Sequence, residues 1–168
     1  MKELILVRHA KSDWGNEFLK DIDRPLSERG YQDAYIMSQW YGGNRQPPDL
    51  LVASPATRAF NTALIFLREM NLPLKTLHVE DHIYESNANA LLKVIKEQDK
   101  SAERIMIFGH NPGFTDLANQ LSDDLFFENV PTCGIVSFTL DIKKWQAAEF
   151  KTAKLSYYQF PKDFRNIP

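Results

Sequence analysis

Arg8 and His9 stand side by side where the apolar run Leu4-Ile5-Leu6-Val7 ends. A guanidinium is permanently charged, and a neutral imidazole is nucleophilic near neutral pH. Adjacent to each other, they suit an anion and chemistry performed on it. Two later runs end in a similar way. Leu50-Leu51-Val52-Ala53 leads into Ser54-Pro55-Ala56-Thr57-Arg58, and Ile105-Met106-Ile107-Phe108 leads into Gly109-His110-Asn111-Pro112-Gly113. One such ending arises easily by chance; three in 168 residues are harder to dismiss.

The elements that must position these side chains follow from the runs themselves. Short, continuous apolar segments read as strands buried on both faces, which belong to parallel sheets covered by helices. Ligands of such sheets bind just beyond the carboxyl ends of the strands. Ser54 and Asn111, each a polar residue before a proline, read as helix N-caps with proline in the first turn. Their helices then begin at the strand ends, with free N–H groups and the positive dipole end facing the same crevice. If the strands are parallel, Arg8, His9, Arg58 and His110 converge.

The remaining chain fits one α/β domain over residues 1–168, long enough to bury about 70% of its unfolded surface. After a polar loop containing Ser12 to Asn16, Ser27 caps a helix expected to bury Tyr31, Ala34, Tyr35 and Ser38 and to stop at Gly42-Gly43. The helix after Ala53 carries an apolar face of Ala56, Ala59, Phe60, Ala63, Leu67 and Met70. Leu74 to Val79 reads as a weak edge strand, followed by a loop at Ile83 to Asn87. Helices bearing Ala88, Leu91, Leu92 and Ile95, then Phe114, Leu117, Ala118 and Leu121, flank the third strand. From Val136 to Ile142 apolar and polar residues alternate, which predicts an antiparallel strand with one wetter face. An extended segment up to Tyr157 pairs with it, and Pro161 to Pro168 reads as a loose tail.

Composition narrows the classes of function. The net charge is −2 without a Lys/Arg run, which argues against nucleic acid. No apolar stretch is long enough to span a membrane, and the first is too short for a signal-peptide core. Cys133 is the single cysteine, so no internal disulfide is possible and a reducing, cytoplasmic location is expected. It reads as a packed thiol. His78 and His82 would lie about 13 Å apart on an extended chain, so no metal site is expected there. No Gly-rich nucleotide loop is present. Trp14 reads equally well as a wall of the crevice or as packing.

Four ordered motifs resemble those of a known family. They are Arg8-His9-Ala10 after a strand; Arg24-Pro25-Leu26-Ser27-x-x-Gly30; Ser54-Pro55-x-x-Arg58-Ala59-x-x-Thr62-Ala63; and Gly109-His110-Asn111-Pro112. From the first strand to about Leu140 the chain is similar to the histidine phosphatase superfamily, the phosphoglycerate-mutase-like enzymes. Its compact length resembles the SixA-type phosphohistidine phosphatase branch. The resemblance implies a three-layer α/β/α sandwich whose mostly parallel central sheet carries a late antiparallel strand.

It also implies roles. His9 is the nucleophile that becomes phosphorylated before water releases phosphate. Arg8 and Arg58 hold the phosphoryl oxygens with planar guanidinium forks. His110 donates to those oxygens in the transition state. Arg24 either adds a phosphate contact or forms a structural salt bridge, and Asn111 contributes its backbone N–H. Glu85, in the loop before the third helix, is either the general acid or a solvated loop residue. No metal and no cofactor are required. The substrate is a phosphohistidine-bearing protein or a small phosphorylated molecule, the latter implying a phosphomonoesterase or mutase. A non-catalytic phosphate-binding module is disfavoured, because a binder needs the arginines but not both histidines.

Overall fold

The first apolar run forms β1 (Lys2–Arg8), the central strand of the cationic end. The structure, a computed structural model, describes residues 1–165. After β1 come α1 (Glu28–Asn44), β2 (Leu50–Ala53), α2 (Thr57–Glu69), β3 (Leu77–Val79), α3 (Ala88–Lys96) and β4 (Arg104–Gly109). They are followed by α4 (Gly113–Leu121), β5 (Ile135–Leu140), β6 (Lys154–Gln159) and a single turn, α5 (Lys162–Arg165). Six strands make one sheet in the order β3-β2-β4-β1-β5-β6. β1, β2, β3 and β4 run parallel, while β5 is antiparallel to both β1 and β6. Among the described residues no helix is long and apolar enough to cross a membrane.

Successive residues of a strand face opposite sides of the sheet, and the core divides accordingly. Leu4, Leu6, Val52, Ile105 and Ile107 pack with Leu91 and Ile95 of α3 and Phe114 and Leu117 of α4. Ile5, Val7, Leu51, Met106 and Phe108 pack on the other side with Met37 and Tyr41 of α1 and Phe66 of α2. This is a three-layer α/β/α sandwich. It also explains where a ligand fits. β4 lies between β1 and β2, whose following helices cover one face, while its own following helix covers the other. The chain therefore parts in opposite directions beyond the carboxyl ends of these strands and leaves a crevice there.

Several expectations need correction. Tyr31 and Tyr35 are exposed; the buried face of α1 is Gly30, Asp33, Ala34, Met37, Ser38 and Tyr41. The reason is Gly30, which presses on the loop after β1: a Cβ there would lie 2.1 Å from the Lys11 carbonyl oxygen. That contact fixes which side of the helix turns inward. Ser27 caps α1 as expected, accepting from the Gly30 N–H at 3.0 Å, but the helix runs through Gly42-Gly43 to Asn44. β5 lacks a wet face, because it lies inside the sheet with core on both sides. Its Ser137 is fully buried and donates to Glu3 Oε1 at 3.0 Å. The alternation between exposed and half-buried residues belongs to β6. Pro161 to Arg165 is not loose: α5 forms there, and Arg165 pairs with the buried Asp33. The last three residues of the expected tail, and of the expected 1–168 domain, lie outside the described residues.

Candidate active site

Parallel pairing brings the strand ends together as the sequence suggested. Arg8 stands opposite Gly109, and the His9 N–H donates to the Gly109 carbonyl at 2.9 Å. The Ser54 N–H donates to the Phe108 carbonyl at 3.1 Å. Arg8, His9, Arg24, Arg58, His110 and Asn111 all line one cavity of about 500 Å³. Gly109 permits this closeness, since a Cβ on it would meet the Phe114 ring at 2.4 Å.

His9 is buried, and its Nδ1 lies 2.7 Å from the Ala10 carbonyl oxygen. A carbonyl only accepts, so Nδ1 carries the proton and the Nε2 lone pair is free for chemistry. Ala10 is itself fixed: its N–H donates to Thr62 Oγ1, which in turn donates to the Arg58 carbonyl. His9 and Arg58 thus share one hydrogen-bonded chain. Burial lowers the His9 pKa to about 3, and the nearby His110, Arg58 and Arg8 add to the lowering by opposing a second positive charge. His110 is lowered to about 4, first by burial and then by Arg58. Both rings are therefore neutral at pH 7. Their centroids lie 5.2 Å apart, and Tyr84 meets the His110 ring edge-on at 5.5 Å.

The arginines are held from behind. Arg58 donates from Nη1 to the Asp21 carbonyl at 2.7 Å and from Nη2 to Asp21 Oδ2 at 3.1 Å. Arg24 reaches Asp21 Oδ1 at 3.1 Å and Ser12 Oγ at 2.5 Å, and its guanidinium stacks 3.4 Å from the Trp14 ring centroid. Tyr84 donates its hydroxyl to Asp21 Oδ2 at 2.6 Å. That bond, together with Arg58, lowers the Asp21 carboxyl pKa to about 2. Arg8 gives Nη1 to the Val130 carbonyl at 3.0 Å. Three buried nitrogens on these lining residues, Arg8 Nε, Arg58 Nε and His110 Nδ1, have no partner. A buried polar atom without a partner is costly.

The expected helix caps take a different form. Ala56 and Pro112 are the N-caps, so α2 and α4 start later than a cap at Ser54 or Asn111 would place them. Ser54 Oγ instead accepts from the Ala56 N–H, and Asn111 Oδ1 accepts from the Thr115 N–H. The Asn111 amide also ties down the following loop through Asn129 and Val130. Glu85 is exposed, adopts a left-handed backbone at φ 54°, and does not line the cavity. His78 and His82 are exposed, His82 pairing with Glu80, and Cys133 is packed with its pKa raised by burial. Trp14 lines the cavity beside Arg24 while staying largely exposed. Among the described residues, no three His, Cys, Asp or Glu side chains gather as metal ligands.

Sequence reasoning missed Asp21, Tyr84, the Ser54–His110 contact, and the cavity-lining Lys11, Arg29, Thr132 and Arg165. Asp21 alone left a signal, three residues before Arg24 in a charged loop.

The fold and cavity define an open α/β protein with an arginine-lined pocket beyond the carboxyl ends of its parallel strands. Residues 4–100 match the model of the histidine phosphatase superfamily (branch 1), and the chain belongs to that family. An uncharacterised chloroplastic protein of Arabidopsis thaliana is 32% identical over 129 residues, covering 72% of this chain and 59% of the plant protein. A solved structure assigned as phosphohistidine phosphatase SixA from Agrobacterium tumefaciens superposes with a TM-score of 0.80 at 25% identity, covering 95% of this chain and 98% of that one. The protein histidine phosphatase SixA complexed with tungstate gives a TM-score of 0.82 at 18% identity, covering 96% and 99%.

Proposed function

We propose that the protein is a phosphatase that passes a phosphoryl group through His9, acting without a metal on a phosphohistidine-bearing protein. The observation that carries this reading is the His9–Ala10 bond, which leaves Nε2 as the unprotonated nitrogen of a ring lining a cationic cavity. The Nε2 lone pair attacks phosphorus in line while the bond from phosphorus to the leaving nitrogen breaks. Arg8 and Arg58 hold the equatorial oxygens, and Arg24 lies within the same cavity to add a third guanidinium. His110 donates to the phosphoryl oxygens as charge develops. Water then attacks the phosphorylated His9, releasing inorganic phosphate and restoring neutral imidazole. A phosphohistidine protonated on its other ring nitrogen departs as neutral imidazole, so the chemistry needs no acid at Glu85. The guanidinium forks supply the positive field that a metal would otherwise provide.

Rapid quench with a radiolabelled phosphohistidine peptide tests the reading. Label should appear on His9, labile to acid and stable to base, and the peptide should outpace phosphoserine and alkyl phosphates. Full turnover by His9→Ala, or label on a hydroxyl, would overturn the mechanism. A preference for a small ester would move the assignment to a phosphomonoesterase.

A further inference from the structure

The cavity holds more positive charge than one phosphoryl group needs. The chain as a whole carries −2, yet Arg8, Lys11, Arg24, Arg29, Arg58 and Arg165 all line this cavity, and among the described residues no carboxylate does. At about 500 Å³ it falls within the usual range for small-molecule sites, well beyond the needs of a single phosphoryl group.

Five of the six cations fall into two sets with separate anchors, and the sixth, Arg8, is held by the Val130 carbonyl. Asp21 holds Arg24 and Arg58 beside His9. Asp33 of α1, nearly fully buried, takes Arg29 on one oxygen at 3.8 Å and Arg165 on the other. Lys11 joins this second set because its main chain is locked to the start of α1. Its carbonyl accepts from the Ser27 N–H at 2.9 Å and the Ser27 hydroxyl at 3.1 Å, and Gly30 packs against the same oxygen. The Arg29 and Arg165 side chains are 48% and 38% exposed, so their charge stays available to a ligand while the buried acid fixes their placement.

We propose that Lys11, Arg29 and Arg165 form a second anion-binding subsite that takes a carboxylate or phosphate carried by the substrate away from its reacting phosphoryl group. The subsite selects substrates with a second acidic group, and it rests on the assignment of the Arg8–His9–Arg58 end to the phosphoryl group. Two sources share this chemistry: an acidic side chain beside a phosphorylated residue, and a second anionic group on a small molecule.

The test measures kcat/KM for two matched pairs: phosphohistidine peptides flanked by glutamate or by glutamine, and alkyl phosphates with or without a second phosphate. In the wild type the more acidic member of one pair should win by about tenfold, in line with two or three exposed ion pairs. Whichever pair shows the preference identifies the source. Lys11→Gln with Arg29→Gln should bring that ratio close to one, and Asp33 keeps Arg165 in the double variant. High salt should shrink the wild-type preference in the same direction. A ratio near one in both wild-type pairs, or a preference that survives the double variant, overturns the subsite. Turnover of the neutral member of a pair, by contrast, depends only on the phosphoryl end, so its absence would indict the proposed function instead.

Discussion

His110 places Nε2 at 2.7 Å from the Ser54 hydroxyl and keeps Nδ1 buried with no protein partner. Ser54 Oγ already accepts from the Ala56 N–H at 3.2 Å, so its own proton is available for Nε2. The hydroxyl also keeps a second lone pair, so it can donate to Nε2 or accept from an Nε2–H, and in either case the contact fixes the ring. Ser54 is therefore the side chain that holds the His110 ring in its orientation.

Ser54→Ala should lower kcat about tenfold with little change in KM, the size expected for a weakened rather than deleted oxyanion donor. Ser54→Thr, which keeps the hydroxyl, should recover most of the loss. Equal losses in both variants, together with a lower thermal midpoint, would mean that Ser54 merely packs.

The histidine pKa values predict how stability depends on pH. Unfolded imidazoles titrate near 6.5, whereas burial holds His9 to about 3 and His110 to about 4 in the folded chain. Between these values the unfolded chain binds more protons, so stability rises with pH there. The contribution is complete above about pH 6.5 and is lost progressively as the pH falls toward 4. Urea unfolding from pH 7.5 to 4.5 should show this decline, and His9→Asn should make it shallower. A slope unaffected by removing His9 would place the acid sensitivity elsewhere.

Glu85→Gln should leave turnover within about twofold of wild type on good and poor leaving groups alike, because a general acid must reach the leaving atom. The Glu85 side chain is exposed and outside the cavity lining. A selective loss on alkyl phosphates, with p-nitrophenyl phosphate unaffected, would show that it does protonate the leaving group.

The sheet and the inner half of the site were legible in the sequence, because Arg8, His9, Arg58 and His110 each stand within five residues of the end of a buried apolar run and the runs pair in parallel. Arg8, His9, Arg58 and His110 needed only the sheet to meet. The supporting contacts were not legible, for they join residues far apart in the chain and leave no periodic trace. Asp21 meets Arg58 at a separation of 37 residues and Tyr84 at 63, and Asp33 meets Arg165 at 132. Tyr31 and Tyr35 misled because aromatic rings at helical spacing look like core, while the inward side of α1 is set by a glycine that adds nothing to an apolar pattern.

That glycine also limits how the pocket can be re-engineered. Lys11, Trp14 and Arg29 expose their side chains and can be randomised to seek new substrates, but Gly30 has to stay constant in any such library. The smallest replacement there, alanine, would push its methyl group into a backbone oxygen that cannot rotate aside. The helix would have to back away, carrying Arg29 and Asp33 with it and leaving the loop after His9 without its support. A selection that allowed this position to vary would return misfolded clones in place of altered specificity.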